Sequence, residues 1–210
     1  MVAMASGRPR PPVATAEDVD ALRALAFVNT LAPRPGPAPV ERLVSYEALA
    51  TWAHEAGFLK ADDVARLVTR ARRRGADAGR VVERARELRE LLHGTFTAVA
   101  AGKTPAASTL TQLSARLSGW YTHGRLVPAD GTLQWVYGGA DDLERPLWEV
   151  ARAASRLLTS SRLDRVRACA AEDCGWWFLD DTKNASRRWC DMKICGNRDK
   201  VRRFRERQRG

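Results

Sequence analysis

The sequence predicts a mainly α-helical N-terminal domain with a small β-hairpin, followed by a small C-terminal module in which a hairpin and then a basic helix surround four cysteines. Three observations predict this architecture. Apolar residues recur with a helical period over most of the chain, the pattern becomes strand-like near 125–137, and all four cysteines fall within the last 42 residues. We expect a disordered leader over 1–15, the helical domain over 16–160 and the cysteine module over 165–210.

The composition is that of a globular protein without a membrane segment. Hydrophobic residues make up 45% of the 210 residues, which is enough for a sizeable core. No run approaches the roughly eighteen apolar residues of a membrane helix. The leader contains arginine and proline but lacks the apolar stretch of a secretory signal. We therefore expect a cytoplasmic protein with no membrane partner.

Proline and helix-capping residues mark the first elements. Residues 16–31 are ambiguous, and four prolines after them predict a stiff connector: Pro33, Pro35, Pro37 and Pro39. Ser45 is a suitable N-cap for a helix that ends at Gly57. The apolar face of this helix has the spacing i, i+3, i+4, i+7 and consists of Leu49, Trp52, Ala53 and Ala56.

Three more helices are predicted in the middle of the chain. One ends at Gly75 and has the apolar positions Val64, Leu67, Val68 and Ala71. A longer one runs from about Asp77 to Gly102, with the apolar positions Val81, Ala85, Leu88, Leu92, Phe96 and Val99. Thr104-Pro105 predicts the start of the next, because threonine caps helices and proline suits their first turn. Its apolar face contains Leu110, Leu113 and Leu117.

The pattern then changes to that of a hairpin before a last helix. Residues 125–128 and 132–137 flank Ala129-Asp130-Gly131, which is typical of a β-hairpin turn. A helix follows from about 143 to 159, and Ser160 and Ser161 join it to the cysteine module.

The four cysteines form two pairs of equal spacing, Cys169-x4-Cys174 and Cys190-x4-Cys195, which are fifteen residues apart. Such pairs are typical of a tetrahedral zinc site, because each tight turn offers two thiolates. The alternatives are disulfides, which the missing secretory signal disfavours, and unligated thiols, which would not cluster. Four thiolates leave no coordination position for water, so we expect one structural Zn²⁺ without which the module unfolds.

The rest of the module is predicted to be a hairpin and a helix. A strand-like segment, 176–179, is separated by a polar turn from 187–189, which returns towards Cys190. Asn197 is a suitable N-cap for a helix over 198–209. Between its charged flanks only a narrow uncharged stripe remains to pack against the hairpin, formed by the apolar Val201 and Phe204 together with Gln208.

Positive charge is concentrated in the same module. The formal net charge is +10, and residues 183–210 contain eleven basic and three acidic residues. This concentration indicates a polyanionic partner, with nucleic acid favoured over a membrane surface or simple solvation. Cations near the cysteines can also offset the negative charge of a zinc–thiolate centre. The candidate nucleic-acid-binding residues are Arg187, Arg188, Lys193, Arg198, Lys200, Arg202, Arg203, Arg205, Arg207 and Arg209.

No pattern indicates an enzyme. Gly102-Lys103-Thr104 resembles the end of a phosphate-binding loop, but position 97 is threonine where that loop needs glycine. The three histidines have neither metal-ligand nor catalytic-triad spacing; they are His54, His93 and His123. The paired aspartates at 62–63 and 141–142 suit helix starts. Four tryptophans are expected in the core: Trp52, Trp120, Trp135 and Trp148.

Two alternatives concern the partner. The aromatic residues of the module could stack on unpaired RNA bases, although packing of the small module is their favoured role, so DNA is favoured over RNA. These residues are Trp176, Trp177, Phe178 and Trp189. Alternatively, the N-terminal domain could be a small-ligand sensor or a cryptic enzyme, in which case Asn29 is the residue to watch.

The motifs of the module closely resemble those of CGNR-type zinc-finger proteins. The similar segments are Cys169-x4-Cys174-Gly-Trp-Trp-Phe-Leu-Asp, Ser186-Arg-Arg-Trp-Cys190 and Cys195-Gly-Asn-Arg198. In that family a domain called ABATE precedes the finger, and Phe27-Val-Asn-Thr30 and the segment from Ser45 to Trp52 resemble its opening. The resemblance implies a bacterial, stress-linked transcription regulator with a nucleic-acid-binding finger, located in the cytoplasm at the nucleoid.

Overall fold

The computed structural model of the protein describes residues 15–34 and 39–208. The predicted leader, apart from Thr15, lies outside these residues, as does Arg209 of the basic helix. So do two prolines of the connector, Pro35 and Pro37. Helices dominate the described part of the chain, and its strands form three two-stranded antiparallel sheets.

The N-terminal domain contains six helices and two of these sheets within the described residues. In chain order its elements are α1 (Ala16–Val28), β1 (Leu31–Ala32), β2 (Val40–Glu41), α2 (Tyr46–Glu55), α3 (Ala61–Arg73), α4 (Gly75–Ala100), α5 (Ala107–His123), β3 (Gly124–Ala129), β4 (Thr132–Tyr137) and α6 (Arg145–Leu158). A short 3-10 turn, Ser161–Arg165, then leads into the cysteine module. The module consists of β5 (Val166–Ala168), β6 (Trp177–Leu179), a π-helical turn (Met192–Gly196) and α7 (Asn197–Arg207).

Side-chain caps fix the starts of α1 and α2. The Thr15 hydroxyl accepts a hydrogen bond from the N–H of Asp18 at 3.1 Å, and the Asp18 carboxylate accepts one from the N–H of Thr15 at 3.0 Å. This reciprocal cap begins a helix in the segment that was ambiguous in the sequence. Ser45 accepts from the N–H of Ala48 at 3.1 Å, as predicted for the N-cap of α2.

Two predicted helix boundaries are wrong. Helix α3 ends at Arg73, and Gly75 begins α4 instead of ending α3, because Arg74 alone makes the turn between them, with φ of −130° and ψ of 52°. Helix α5 begins at Ala107, beyond Thr104-Pro105, and has no side-chain cap.

The predicted hairpin is confirmed, with β3 and β4 joined by a two-residue turn. Asp130 and Gly131 both have positive φ, 45° and 76°. This is the conformation in which an Asp-Gly turn matches the twist of the strands. Beyond the hairpin, Trp52 is buried as expected, whereas Trp135 of β4 is 50% exposed, so the core assignment of Trp135 is wrong.

One hydrophobic core runs through the N-terminal domain and into the module. Large side chains that are almost fully buried in it include Phe27, Leu49, Leu92, Phe96 and Leu157. Val166 of β5 and Trp177 and Leu179 of β6 belong to the same core. Burial of apolar side chains contributes roughly 1.5–3 kcal/mol each, so the two strands are substantially stabilised by their contact with the domain.

The module's hairpin differs from the predicted one in its pairing. Strand β6 forms where a strand was predicted, but it pairs with β5, which precedes the first cysteine, in the register Val166↔Leu179 and Ala168↔Trp177. The segment 187–189 contributes one backbone hydrogen bond, from the N–H of Ala170 to the carbonyl of Arg188 at 2.8 Å. The first cysteine pair therefore lies in the loop of a hairpin.

In the described part of the chain, no helix is both long enough and apolar enough to span a lipid bilayer.

Candidate metal centre and nucleic-acid interface

The four cysteine sulfurs converge on one point. The Sγ atoms of Cys169, Cys174, Cys190 and Cys195 all lie within 4.8 Å of one another. The sulfur of Cys190 lies 3.6 Å from the sulfurs of both Cys174 and Cys195. Sulfurs placed tetrahedrally about 2.3 Å from zinc would be about 3.8 Å apart, whereas disulfide sulfurs are about 2.05 Å apart. The donors therefore fit one tetrahedral zinc ion, and the four cysteines form a structural zinc site.

The first cysteine pair lies on a turn that is attached to the N-terminal domain. Cys169 follows β5, and its N–H donates to the carbonyl of Trp176 at 2.8 Å. The N–H of Cys174 donates to the carbonyl of Ala171 at 3.1 Å, which closes the turn. From the N-terminal domain, the N–H of Arg34 donates to the carbonyl of Cys174 at 3.1 Å. The backbone of this turn is thus fixed from both sides.

The second cysteine pair leads directly into α7 through the π-helical turn. Asp191 caps this turn, since its carboxylate accepts from the N–H of Ile194 at 2.9 Å. Its carbonyl accepts from the N–H of Cys195 at 2.9 Å. Asn197, the predicted N-cap, is instead the first residue of α7, and its side-chain amide donates to the carbonyl of Lys193 at 3.0 Å. The capping prediction for Asn197 is wrong because Asp191 already caps the turn before it.

Burial and hydrogen bonds shift the pKa values of Cys169, Cys174 and Cys190. Burial raises the pKa of Cys174 to about 11 and also raises the pKa of Cys190. At Cys169 burial acts in the same direction, but backbone hydrogen bonds from Ala171 and Cys190 outweigh it and lower the pKa. Without a cation, Cys174 and Cys190 keep their protons at neutral pH. Zinc would displace these protons, because the thiolate is the metal ligand.

Arg198 lies beside the zinc site. Its guanidinium donates to Cys195 Sγ at 3.5 Å and forms an ion pair with Asp173 at 2.9 Å. Four thiolates around Zn²⁺ leave a net charge of −2, so a cation hydrogen-bonded to one sulfur offsets part of that charge. Of the Cys-Gly-Asn-Arg run, the cysteine is thus a ligand, the asparagine holds the turn and the arginine contacts the ligand.

A buried carboxylate organises the loop between the cysteine pairs. Asp180 is fully buried and accepts from the N–H groups of Thr182 and Arg187, each at 2.9 Å. Burial opposes its ionisation, but these hydrogen bonds hold the pKa of Asp180 below its usual value. The guanidinium of Arg187 lies over the ring of Phe178 and donates to the carbonyl of Trp189 at 2.9 Å. Arg187 is therefore occupied by contacts within the module.

Helix α7 turns its acidic side towards the module. Asp199 is 5% exposed and accepts from Arg202 at 2.8 Å and from Arg203 at 2.9 Å. The hydrogen bond from Arg202 lowers the pKa of Asp199, against the effect of its burial. Arg202 also forms an ion pair with Glu172 in the first cysteine turn. Two more of the predicted nucleic-acid contacts thus have acidic partners.

The remaining predicted contacts in the part of the chain that the structure describes are exposed cations. Within residues 15–34 and 39–208, five of them have no acidic group within ion-pair distance: Arg188, Lys193, Lys200, Arg205 and Arg207. Arg188 lies over the ring of Trp189, and the other four extend from the second cysteine turn and α7. The module therefore presents unneutralised positive charge to solvent.

The apolar stripe of α7 does not pack against the hairpin, so that prediction is wrong. Val201 is 49% exposed and Phe204 is 57% exposed. The inward position of Asp199, with its two arginine partners, turns the stripe outward. Met192 and Ile194, in the turn before the helix, are also exposed.

Asn29 joins the N-terminal domain to the module. At the end of α1, its side-chain amide donates to the carbonyl of Trp177, and its side-chain carbonyl accepts from the N–H of Trp177, both at 2.9 Å. The indole Nε1–H of Trp177 donates to Nδ1 of His93 at 3.0 Å. Burial, with Arg34 nearby, lowers the pKa of His93, which favours the neutral imidazole that can accept this bond. Asn29 was noticed in the sequence as a possible ligand contact, but its amide is used in this junction.

The N-terminal domain has a polar cleft of about 700 Å³ between α3, α4 and the loop before α6. Its charged lining consists of Arg70, Arg74, Asp77, Arg80, Arg84, Asp141, Asp142 and Glu144. Asn29 does not line this cleft. Positive and negative groups are equal in number there, so the lining has no net formal charge.

Comparisons with known proteins give two family matches. Residues 21–161 match ABATE, described as "Putative stress-induced transcription regulator", and residues 165–208 match the CGNR zinc finger. The first match covers about two thirds of the chain. A search of curated proteins found no match.

Proposed function

Because the chain belongs to the ABATE family and ends in a CGNR zinc finger, we propose that it regulates transcription by binding duplex DNA through the zinc finger. The observation that carries this proposal is a set of five exposed cations on the small zinc-binding module that have no acidic partner among the described residues: Arg188, Lys193, Lys200, Arg205 and Arg207. Contacts from such side chains to phosphates supply most of the affinity of proteins for nucleic acid.

In this proposal zinc has a structural role. When bound, the ion supplies no chemistry beyond holding the two cysteine turns together. Cys195 is a ligand and lies two residues before Asn197, the first residue of α7, so ligation fixes the direction of the helix that carries Lys200, Arg205 and Arg207. The proposal assigns no catalysis to the chain and places it in the bacterial cytoplasm, at the nucleoid.

The burial of the module's aromatic residues supports DNA over single-stranded RNA. Trp177 and Phe178 are buried, and Trp189 is half-buried. Of these four rings, that of Trp176 is the most exposed, at 38%. Proteins that bind single strands stack successive bases on neighbouring exposed rings. The exposed rings of the module, Trp176 before β6 and Phe204 on α7, lie on different elements, which makes them a poor platform.

The salt dependence of duplex DNA binding tests the proposal. If the five cations contact phosphates, the logarithm of the association constant should fall with the logarithm of the salt concentration with a slope of about −4.5. The double variant Lys200→Gln/Arg205→Gln should reduce the size of this slope by about 1.8. A competition between duplex DNA and single-stranded RNA of equal length separates the two partners.

The matched control uses two exposed arginines of α3 that also have no acidic partner among the described residues, Arg70 and Arg73. Changing both to glutamine removes the same formal charge from the chain, but from outside the module. The slope should then stay near that of the unchanged protein. A flat salt dependence of the unchanged protein would contradict the proposal.

A further inference from the structure

The outward face of α7 combines an apolar stripe with cations on both sides. Val201 and Phe204 are separated by about 60° around the helix axis and are each about half exposed. The buried Asp199 lies on the opposite side of the helix. The stripe was expected to stabilise the module by packing, and it does not.

The cations form two rows beside this stripe. One row contains Arg198 and Arg205, and the other contains Lys200 and Arg207. At about 100° per residue, the two rows lie between about 70° and 90° from the centre of the stripe, on opposite sides. Arg198 has an acidic partner, Asp173, and the other three have none among the described residues.

Both carboxylates of α7 lie away from this face. Asp199 is buried against the module, and Glu206, which follows it by two turns, pairs with Arg202. The outward half of the helix therefore has apolar side chains at its centre, cations at both edges and no acidic group. A single polyanionic strand would account for one row of cations but not for two rows with an apolar centre.

We propose that this outward face enters the major groove of duplex DNA, where Val201 and Phe204 contact the methyl groups of thymine and the two rows of cations contact the two phosphate backbones. This inference rests on the proposed function and adds the residues that read sequence. The major groove is about 12 Å wide and admits one α-helix, with a phosphate strand on each side. The thymine methyl is the apolar group exposed in that groove, and apolar side chains recognise it.

An anionic membrane is a weaker match to the same face. Helices that lie in a membrane surface bury a broad apolar face in the headgroup region. Helix α7 has 11 residues, and two large apolar side chains project from its outward side. The width of the stripe suits contacts to a few methyl groups better than insertion between lipids.

Replacement of thymine by uracil tests the proposal, because it removes the methyl group and leaves base pairing unchanged. Short random duplexes are enriched on the zinc-loaded full chain and then recopied with uracil in place of thymine. The unchanged protein should bind the thymine duplexes about four- to tenfold more tightly, since one buried methyl is worth about a factor of four. The double variant Val201→Ala/Phe204→Ala should bind both forms equally and keep the salt slope of the unchanged protein.

The control variant is Leu22→Ala, which shortens a side chain that is 53% exposed on α1 and should keep the thymine preference. Equal binding of both duplex forms by the unchanged protein would overturn this inference and leave the proposed function standing. Absence of binding to either form at low salt would refute the proposed function, and this inference with it. A membrane role for the stripe would be indicated if the protein had no thymine preference and bound vesicles of phosphatidylcholine and phosphatidylserine more tightly than duplex DNA. In that case Phe204→Ala should abolish the binding to vesicles.

Discussion

At the scale of the residue, Gly175 is the position where the backbone of the zinc site closely approaches the backbone of Arg34 in the N-terminal domain. It follows Cys174 with φ of +63°, a conformation that costs side-chain-bearing residues free energy. A Cβ atom at this position would lie 1.2 Å from the carbonyl oxygen of Arg34. The same stretch of backbone carries the hydrogen bond from Arg34 to Cys174. Glycine is therefore required here both by the dihedral angle and by the contact.

We predict that Gly175→Ala lowers the free energy of unfolding of the zinc-loaded protein by about 2 kcal/mol or more. The backbone of Arg34 would have to move away, which also breaks its hydrogen bond to Cys174. Chemical denaturation followed by circular dichroism measures this change. Gly94→Ala is the matched control, because it lies inside α4 with no atom within 4 Å of the added carbon.

The control should change stability in the opposite direction. Alanine is favoured over glycine inside a helix by about 1 kcal/mol, so Gly94→Ala should stabilise the protein. Equal effects of the two variants would show that the approach of Arg34 to Gly175 does not matter for stability.

Residue-level predictions succeeded where the chemistry is local in sequence. The spacing of the cysteines was enough for the zinc site, because each pair spans one turn and thiolates are the donors that zinc prefers. The roles of Asn29 and Asp180 could not be derived in the same way. Asn29 bonds to Trp177, which is 148 positions away, and no local pattern reports such a contact. For Asp180, a carboxylate before a polar loop that contains Thr182 was an available signal.

At the scale of elements, the spacing of apolar residues and the helix-capping residues predicted most helices of the N-terminal domain and its hairpin. Apart from the wrong helix boundaries at Gly75 and Thr104-Pro105 and the wrong cap at Asn197, the errors fall where the deciding contact is distant. Strand β6 was predicted, but its partner β5 was not, because a three-residue strand has too short a pattern to reveal its pairing. The helical spacing of the apolar residues in α7 was also predicted correctly, but this spacing does not show whether the apolar stripe faces protein or solvent.

The contact between α1 and β6 gives a prediction at this scale. Asn29→Ala removes two partly buried hydrogen bonds to the backbone of Trp177. Each is worth about 1 kcal/mol, so we expect the free energy of unfolding to fall by about 2 kcal/mol. Asn184→Ala, in the exposed loop of the module, is the control and should change stability by less than about 0.5 kcal/mol.

The readout is the denaturant midpoint of each zinc-loaded variant. If Asn29→Ala lowered the free energy of unfolding by as little as the control does, the hydrogen bonds to Trp177 would be worth no more than the bonds to water that they replace. In Asn29→Asp the carboxylate still accepts from the N–H of Trp177 but can no longer donate to its carbonyl. A smaller decrease in the free energy of unfolding than in Asn29→Ala would therefore support the two hydrogen bonds.

At the scale of the whole molecule, the zinc finger and the ABATE domain share one core. Val166, Trp177 and Leu179 are packed among the helices of the N-terminal domain, and the loop that joins their two strands carries the first pair of zinc ligands. The packing therefore separates the two units only in part, since a small second cluster of buried residues surrounds the zinc site while β5 and β6 belong to the core of the domain. Metal bound in the loop and core packing along β5 and β6 therefore stabilise the same hairpin.

Because the core is shared, we predict that loss of zinc also destabilises part of the N-terminal domain. The metal holds the loop that closes the β5–β6 hairpin, and a two-stranded hairpin is marginal by itself in water. When chelation frees the loop, the strands should open more often and expose their partners in α1 and α4. Amide hydrogen exchange should then become at least about tenfold faster around Asn29 at the end of α1 and around His93 in α4, as well as throughout 165–208.

Helix α3 is the internal control for this experiment, because its contacts are with α2 and α4 rather than with the hairpin. Its exchange should change little when zinc is removed. The variant Cys169→Ser, which lacks one ligand, should reproduce the pattern without a chelator and so separates metal loss from side effects of the reagent. Faster exchange that stops at residue 165 would show that the finger unfolds alone, and the packing of Trp177 against the domain would then contribute little to the stability of α1 and α4.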